Sequence, residues 1–161
     1  MSKKVIYVLL CGSRHYTNYW QFSKVCDRLL KRYIDEGYRI YIIEGGAAGS
    51  DYLAFIYARR RGFKRITHKA NWDEYGKSAG YRRNVTMSEV ANVCIGFWDG
   101  HSNGTKHTLK ICTEKGLPTR SIKIPREQAN VKKRRGNGAW REKTRRALSE
   151  DRQRRGVQAD G

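Results

Sequence analysis

Short apolar runs alternate with helix-patterned segments through the first 124 residues, and most of the apolar runs end in a loop rich in glycine and polar residues. "VIYVLL" (5–10), "RIYII" (39–43), a weaker run around 66–70, "VCIGFW" (93–98) and "TRSIKI" (119–124) read as strands. The unbroken apolar character of 5–10 and 93–98 is that of strands covered on both faces. Between the first two, Phe22, Val25, Cys26, Leu29, Leu30, Tyr33 and Ile34 recur at three- and four-residue spacing, which lines one helix face up to a stop near Gly37. Segments 50–61, 77–91 and 105–115 read as further helices, the last closed by Gly116. This alternation predicts βαβ units, hence an α/β fold: a Rossmann-like three-layer sandwich with a mainly parallel sheet.

The pattern stops after Pro125. Residues 125–161 hold 12 basic and 5 acidic residues and few apolar ones, too little to bury a core of their own. They are expected to be a basic, flexible tail, with 139–155 able to form a helix on binding; residues 1–124 form the globular domain. The whole chain carries a formal charge of +19, of which +12 lies in residues 1–124. Such an excess favours polyanionic partners but does not select a fold. "KKRRGNGAWREKTRR" in the tail, with one tryptophan among its cations, suits non-specific, salt-dependent contact with nucleic acid, or merely a solubilising tail.

Cys11, Cys26, Cys94 and Cys112 form no CxxC pair and lie in or beside apolar runs, so they read as reduced core thiols rather than a disulfide frame or zinc site. No apolar stretch approaches the roughly 20 residues of a membrane span, and the N-terminus enters a strand pattern without a signal-peptide cleavage motif. The expectation is a soluble cytoplasmic protein with no membrane partner, no metal and no cofactor, able to form a homo-oligomer.

Ligands of open α/β sheets bind beyond the carboxyl ends of the strands, so the loops there carry the functional information. "CGSRHY" follows the first strand, "EGGAAGSD" the second, "NWDEYGKSAGYRRN" the third and "DGHSNGT" the fourth. Gly45, Gly46 and Gly49 fit a turn whose backbone N–H groups face an anion, yet they match neither GxGxxG nor GxxxxGK[ST], and a plain tight corner fits them equally well. Asp51 could cap the following helix or hold a ribose hydroxyl. Gly104 and Thr105 open another helix and offer a second phosphate seat. Lys77, Arg82 and Arg83 are either a solvated face or phosphate ligands, and Arg14 is a further candidate. His15, His101 and His107 lack a third partner at metal spacing; Trp72, Tyr75 and Trp98 could stack on a base or pack in the structure.

Taken in order, "CGSR", "EGGAAGSDYLA", "ANWDEYGKSAGYRRNVTM" and "GFWDGHSNGTKHT" resemble the signature of the SLOG superfamily, the Rossmann-like group that includes the LOG phosphoribohydrolases and the DNA-processing protein DprA. The likeness, over roughly residues 4–124, is nearest to its YspA/YpsA-related branch of bacterial and phage proteins. It implies a pocket for a nucleotide or nucleotide-derived ligand. Residue by residue it places Gly12, Ser13 and Arg14 in the first motif and Gly45, Gly46, Gly49 and Asp51 in the second. Gly80, Arg83, Asn84 and Met87 fall in a third, "G..RN..M", near Lys77. Asp99, Gly100, Ser102, Gly104 and Thr105 make the fourth.

One departure bears on chemistry. The LOG motif "PGGxGTxxE" has a glutamate that works with an arginine in cleaving an N-glycosidic bond; here Thr108 stands in its place and Asp99 replaces the proline. The leading expectation is therefore nucleotide-ligand binding. An alternative is a LOG-type N-glycosidase acting on nucleoside monophosphates, with Arg83 and Asp99 as tentative catalytic residues and Asp51 as another carboxylate that could serve. A third is DNA or RNA binding through the basic surface and tail.

Overall fold

The computed structural model describes residues 2–126, together with 142, 145, 146 and 148–150. Five parallel strands form one sheet in the order β3-β2-β1-β4-β5, where β1 is Val5–Gly12, β2 Arg39–Glu44, β3 Lys64–Thr67, β4 Val93–Trp98 and β5 Thr119–Lys123. The helices are α1 (Tyr19–Asp35), α2 (Ser50–Arg61), α3 (Trp72–Tyr75), α4 (Ala79–Val90) and α5 (Asn103–Glu114). This is the Rossmann-like α/β architecture expected from the alternation.

Strand pleating sends successive side chains to opposite faces, which sorts the core into two layers. Ile6, Val8 and Leu10 of β1 pack with Ile42, Phe97 and the α1 and α2 residues Phe22, Leu53 and Tyr57. Leu9 and Cys11 face the other way, onto Ile43, Cys94 and the α4 and α5 residues Met87, Leu109 and Cys112. All four cysteines are free and buried. No helix among the described residues is long and apolar enough to cross a membrane.

At the far end of α2 the first layer is clasped. Arg61 donates to both carboxylate oxygens of Asp27 in α1, at 3.0 and 2.7 Å, and the Tyr57 hydroxyl donates to the same group at 2.8 Å. That anchors one end of α2 while its N-terminal end enters the site. Of the tail, the described residues 142, 145, 146 and 148–150 are helical, and Leu148 packs partly buried against the α1/α2 core layer. Apart from Pro125 and Arg126, the rest of the expected tail lies outside the described residues.

Three local departures from the sequence reading matter. β1 runs on through Cys11 and Gly12, because both still pair with β4 at Gly96 and Phe97. β3 begins at Lys64 and ends at Thr67, so Lys69 and Ala70 belong to the loop beyond it. The helix expected over 77–91 is present as α4 but starts at Ala79, because Gly76–Ser78 forms a 3-10 turn, and the single turn of α3, which the sequence pattern places in a loop, precedes Gly76, whose φ is +53°.

Candidate functional site

The chain order reverses direction across the sheet at β1 and β4, which opens a crevice at their carboxyl ends. The loops there are stitched to one another. Ser13 N–H donates to the Phe97 carbonyl at 3.1 Å, and the Ser13 carbonyl accepts from both the N–H and the hydroxyl of Ser50, at 3.1 and 3.0 Å. Gly49 caps α2 at φ +70°, and a Cβ there would collide with the Ser13 and Arg14 backbone. The approach of the β1 loop to the α2 N-terminus therefore requires glycine.

The glycine loop after β2 is closed on itself. Glu44 is buried and accepts from Gly46 N–H at 2.5 Å and from the Thr67 hydroxyl; Ala47 N–H donates to Asp51 Oδ2 at 3.1 Å. With Ser50 N–H bound to Ser13, three N–H groups of this turn already have partners within the chain. The role of Gly45 is to make room. A Cβ on it would lie 2.6 Å from Arg83 Nη1 and 2.9 Å from Asp51 Oδ2.

Arg83 thus reaches in from α4 and lies against the loop. Its Nη1 donates to the Gly45 carbonyl at 2.6 Å and its Nε to Asn84 Oδ1 at 3.3 Å. Asn84, itself buried, donates to the Gly104 carbonyl at 3.4 Å, linking α4 to the start of α5. At that helix start Asp99 Oδ1 accepts from the N–H groups of His101 and Ser102, both at 2.9 Å, and Ser102 caps α5 by accepting from Thr105 N–H. Burial works against the Asp99 charge, but these backbone donors outweigh it and hold the carboxyl below its ordinary value. Trp98 Nε1–H donates to the Ser102 carbonyl, so this indole braces the loop. Thr108, buried, spends its hydroxyl on the Gly104 carbonyl at 3.1 Å.

Two adjoining cavities result. The smaller, about 250 Å3, is bounded by Arg14, Asp51, Arg83, Asn84, Ser102 and Thr105, with Gly12, Gly104 and Thr108 also on its wall. The larger, about 520 Å3, is bounded by Arg14, Arg83, Lys69, Trp72 and the loop from Gly45 to Ala48. Arg14 has no ion-pair partner among the described residues and lines both. Ser13, Asp99 and Ser102 line a neighbouring recess with Arg14, His15, His101 and Arg126.

Of the residues expected at the site, the two cavities gather Gly12, Arg14, Gly45, Gly46, Asp51, Arg83, Asn84, Ser102, Gly104 and Thr105. Ser13 and Gly49 hold the loops together from outside them. Lys77, Gly80 and Gly100 stand apart, and Asp99 shares neither cavity with Arg83; the carboxylate beside Arg83 is Asp51. His107 lines neither cavity; its ring makes a T-shaped contact with Tyr81 and its Nδ1 lies 3.4 Å from Asn84 Nδ2. Lys69 escaped notice because the third strand was read too far downstream, which placed it in the sheet. Cys11 and Ala47 carried no chemical signal in the sequence.

Asp51 is the most perturbed acid of the cavity. Burial pushes its carboxyl up to about 6, against the counteracting pull of Arg83 and the Ala47 N–H. A folded-state value above the unfolded one, about 3.9, means this group's stabilising contribution is complete below pH 4 and is lost as pH rises through 6. The loss amounts to about 3 kcal/mol, roughly half of it between pH 5 and 8. Asp51→Asn, which keeps an acceptor for Ala47 N–H, is accordingly expected to gain stability over the parent protein as pH rises from 5 to 8. Denaturant midpoints at the two pH values check this; a stability difference that stays flat or shrinks would contradict it.

The profile of the YspA, cpYpsA-related SLOG family matches residues 6–75. The Gene 61 protein of Mycobacterium phage D29 is 35% identical over 118 residues, covering 69% of this chain and 91% of that protein. Among solved structures, DNA processing protein A (DprA) from Streptococcus pneumoniae superposes with a TM-score of 0.57 at 16% identity, over 91% of this chain. The chain spans 56% of the length of that DprA chain, and at this identity the likeness establishes the shared fold.

Proposed function

We propose that this chain, which belongs to the YspA, cpYpsA-related SLOG family, binds a nucleotide or nucleotide-derived ligand at the carboxyl edge of its sheet. The observation that carries the reading is the convergence of Arg14 and Arg83 on two cavities, the smaller of which borders the α5 N-terminus. Guanidinium groups bind phosphate oxygens in a fork, and the helix start adds a partial positive charge at Gly104 and Thr105. The turn after β2 contributes shape more than donors, because its own carboxylates occupy Gly46 and Ala47 N–H. Asp51, Asn84 and Ser102 then face the position of sugar hydroxyls.

Thermal unfolding in the presence of nucleoside monophosphates tests this reading. A ligand at 100 times its Kd adds about 2.7 kcal/mol of stability. No shift with any of AMP, GMP, CMP and UMP at millimolar concentration would count against it.

A second reading is favoured by the pairing of Asp51 with Arg83. A carboxyl held near 6 in a cavity is suited to proton transfer, so Asp51 could replace the glutamate whose position Thr108 fills and support N-glycosidic hydrolysis. Release of free base from those monophosphates, abolished by Asp51→Asn, would establish it; binding without base release leaves the pocket a binding site alone.

A further inference from the structure

The two cavities differ in chemistry, and Arg14 and Arg83 stand on the partition between them. On one side lie Asp51, Asn84, Ser102 and Thr105, a carboxylate, an amide and two hydroxyls with no aromatic ring among them. This compartment, about 250 Å3, falls below the roughly 300–1,000 Å3 of ordinary ligand pockets and suits one sugar-sized group rather than a whole nucleotide. On the other side lie Trp72 and Lys69, with no carboxylate on the wall.

Trp72 is half exposed, yet its position is set. A Cβ on Gly80 would sit 3.3 Å from the edge of the indole, so the ring rests on the side-chain-free start of α4. Glycine within a helix costs about 1 kcal/mol relative to alanine, and here it makes a seat for an aromatic surface facing the larger cavity. This assigns Gly80 a role that its place in the motif did not disclose.

Resting on the nucleotide-binding reading above, we infer that the ligand carries its phosphate internally: an aromatic base on Trp72, a phosphodiester or pyrophosphate between Arg14 and Arg83, and a second hydroxyl-bearing sugar against Asp51 and Asn84. A terminal phosphate would satisfy the arginines but leave one compartment empty. The two guanidinium groups match the two negative charges of a pyrophosphate bridge, and Lys69 is a third cation on the wall of the larger cavity. The ligand class is a small nucleotide conjugate, a base-bearing nucleoside joined through phosphate to another sugar.

Titration calorimetry with ADP-ribose, UDP-glucose, AMP, ribose 5-phosphate and a short oligothymidylate tests the inference. At least one conjugate is expected to bind about tenfold or more tightly than AMP and ribose 5-phosphate, and Trp72→Ala to weaken that conjugate by about tenfold, since a base on an aromatic ring contributes about 1–3 kcal/mol. Trp72→Phe is expected to restore most of the loss, which separates stacking from folding. AMP binding as tightly as both conjugates would overturn the internal phosphate while leaving the nucleotide site standing. An oligonucleotide that binds more tightly than either conjugate would overturn the small-molecule class. If none of the probes binds, the inference falls together with the reading it rests on.

Discussion

Gly49→Ala is expected to lose about 3 kcal/mol or more of folding stability, a drop of roughly 10 °C in Tm for a chain of this size. Two effects add. Alanine at φ +70° is strained, and its Cβ would enter the space held by the Ser13 and Arg14 backbone. Relief requires the β1 loop to withdraw from Ser50, breaking the bonds from Ser50 N–H and hydroxyl to the Ser13 carbonyl. Arg14 would move with that loop, so nucleotide binding should fall even at temperatures where the variant remains folded. Gly37→Ala is a suitable control: its φ is also positive, at +72°, but nothing lies within 4 Å of the added carbon. Comparable losses for the two variants, measured by thermal denaturation, would show that strain alone accounts for the effect and that the close contact does not matter.

Arg83→Ala is expected to weaken binding of a nucleotide probe by about 100-fold, within the 2–5 kcal/mol that loss of one partner of a buried charge-assisted contact removes. The same substitution has a second readout. Because Arg83 pulls the Asp51 carboxyl down, its removal should move that group's titration above its present value of about 6. Carbon-13 NMR of the aspartate carboxyls follows it directly. Lost affinity with an unmoved Asp51 titration would mean that the guanidinium does not act on the carboxylate beside it. Unchanged affinity would remove Arg83 from the anion seat.

The sheet was legible because its central strands β1, β2 and β4 are largely apolar and α1 shows clear three- and four-residue spacing. Segment 50–61 was read with the bounds that α2 has, and 93–98 with those of β4. β3 was harder: its four residues, Lys64–Thr67, are mostly exposed and carry two cations, so burial left little pattern to read. The single turn of α3 was invisible for a similar reason, since none of its residues is buried.

Residue types at the strand ends single out loops that border the two cavities, but not each residue's work there. The glycines after β2 fit a phosphate cradle or a plain tight corner in the sequence; in the fold Glu44 and Asp51 take up the N–H groups of Gly46 and Ala47, and Gly45 serves by lacking a side chain where Arg83 and Asp51 meet. Sequence spacing contains no trace of that three-way approach, which joins residues 38 positions apart. The sequence reading pairs Arg83 with Asp99 and keeps Asp51 as the other carboxylate that could serve. The folded chain separates them, since Asp99 is engaged with the turn that starts α5, whereas Asp51 sits on the cavity wall.

Whether Arg14 and Arg83 form the anion seat of a nucleotide pocket is decided by a crystal structure with AMP or ADP-ribose bound. Phosphate oxygens are expected within about 2.7–3.2 Å of both guanidinium groups, with the base toward Trp72. Ligand ordered elsewhere, such as in the recess between Ile56, Arg59 and Arg145, with the space between Arg14 and Arg83 empty, would contradict it.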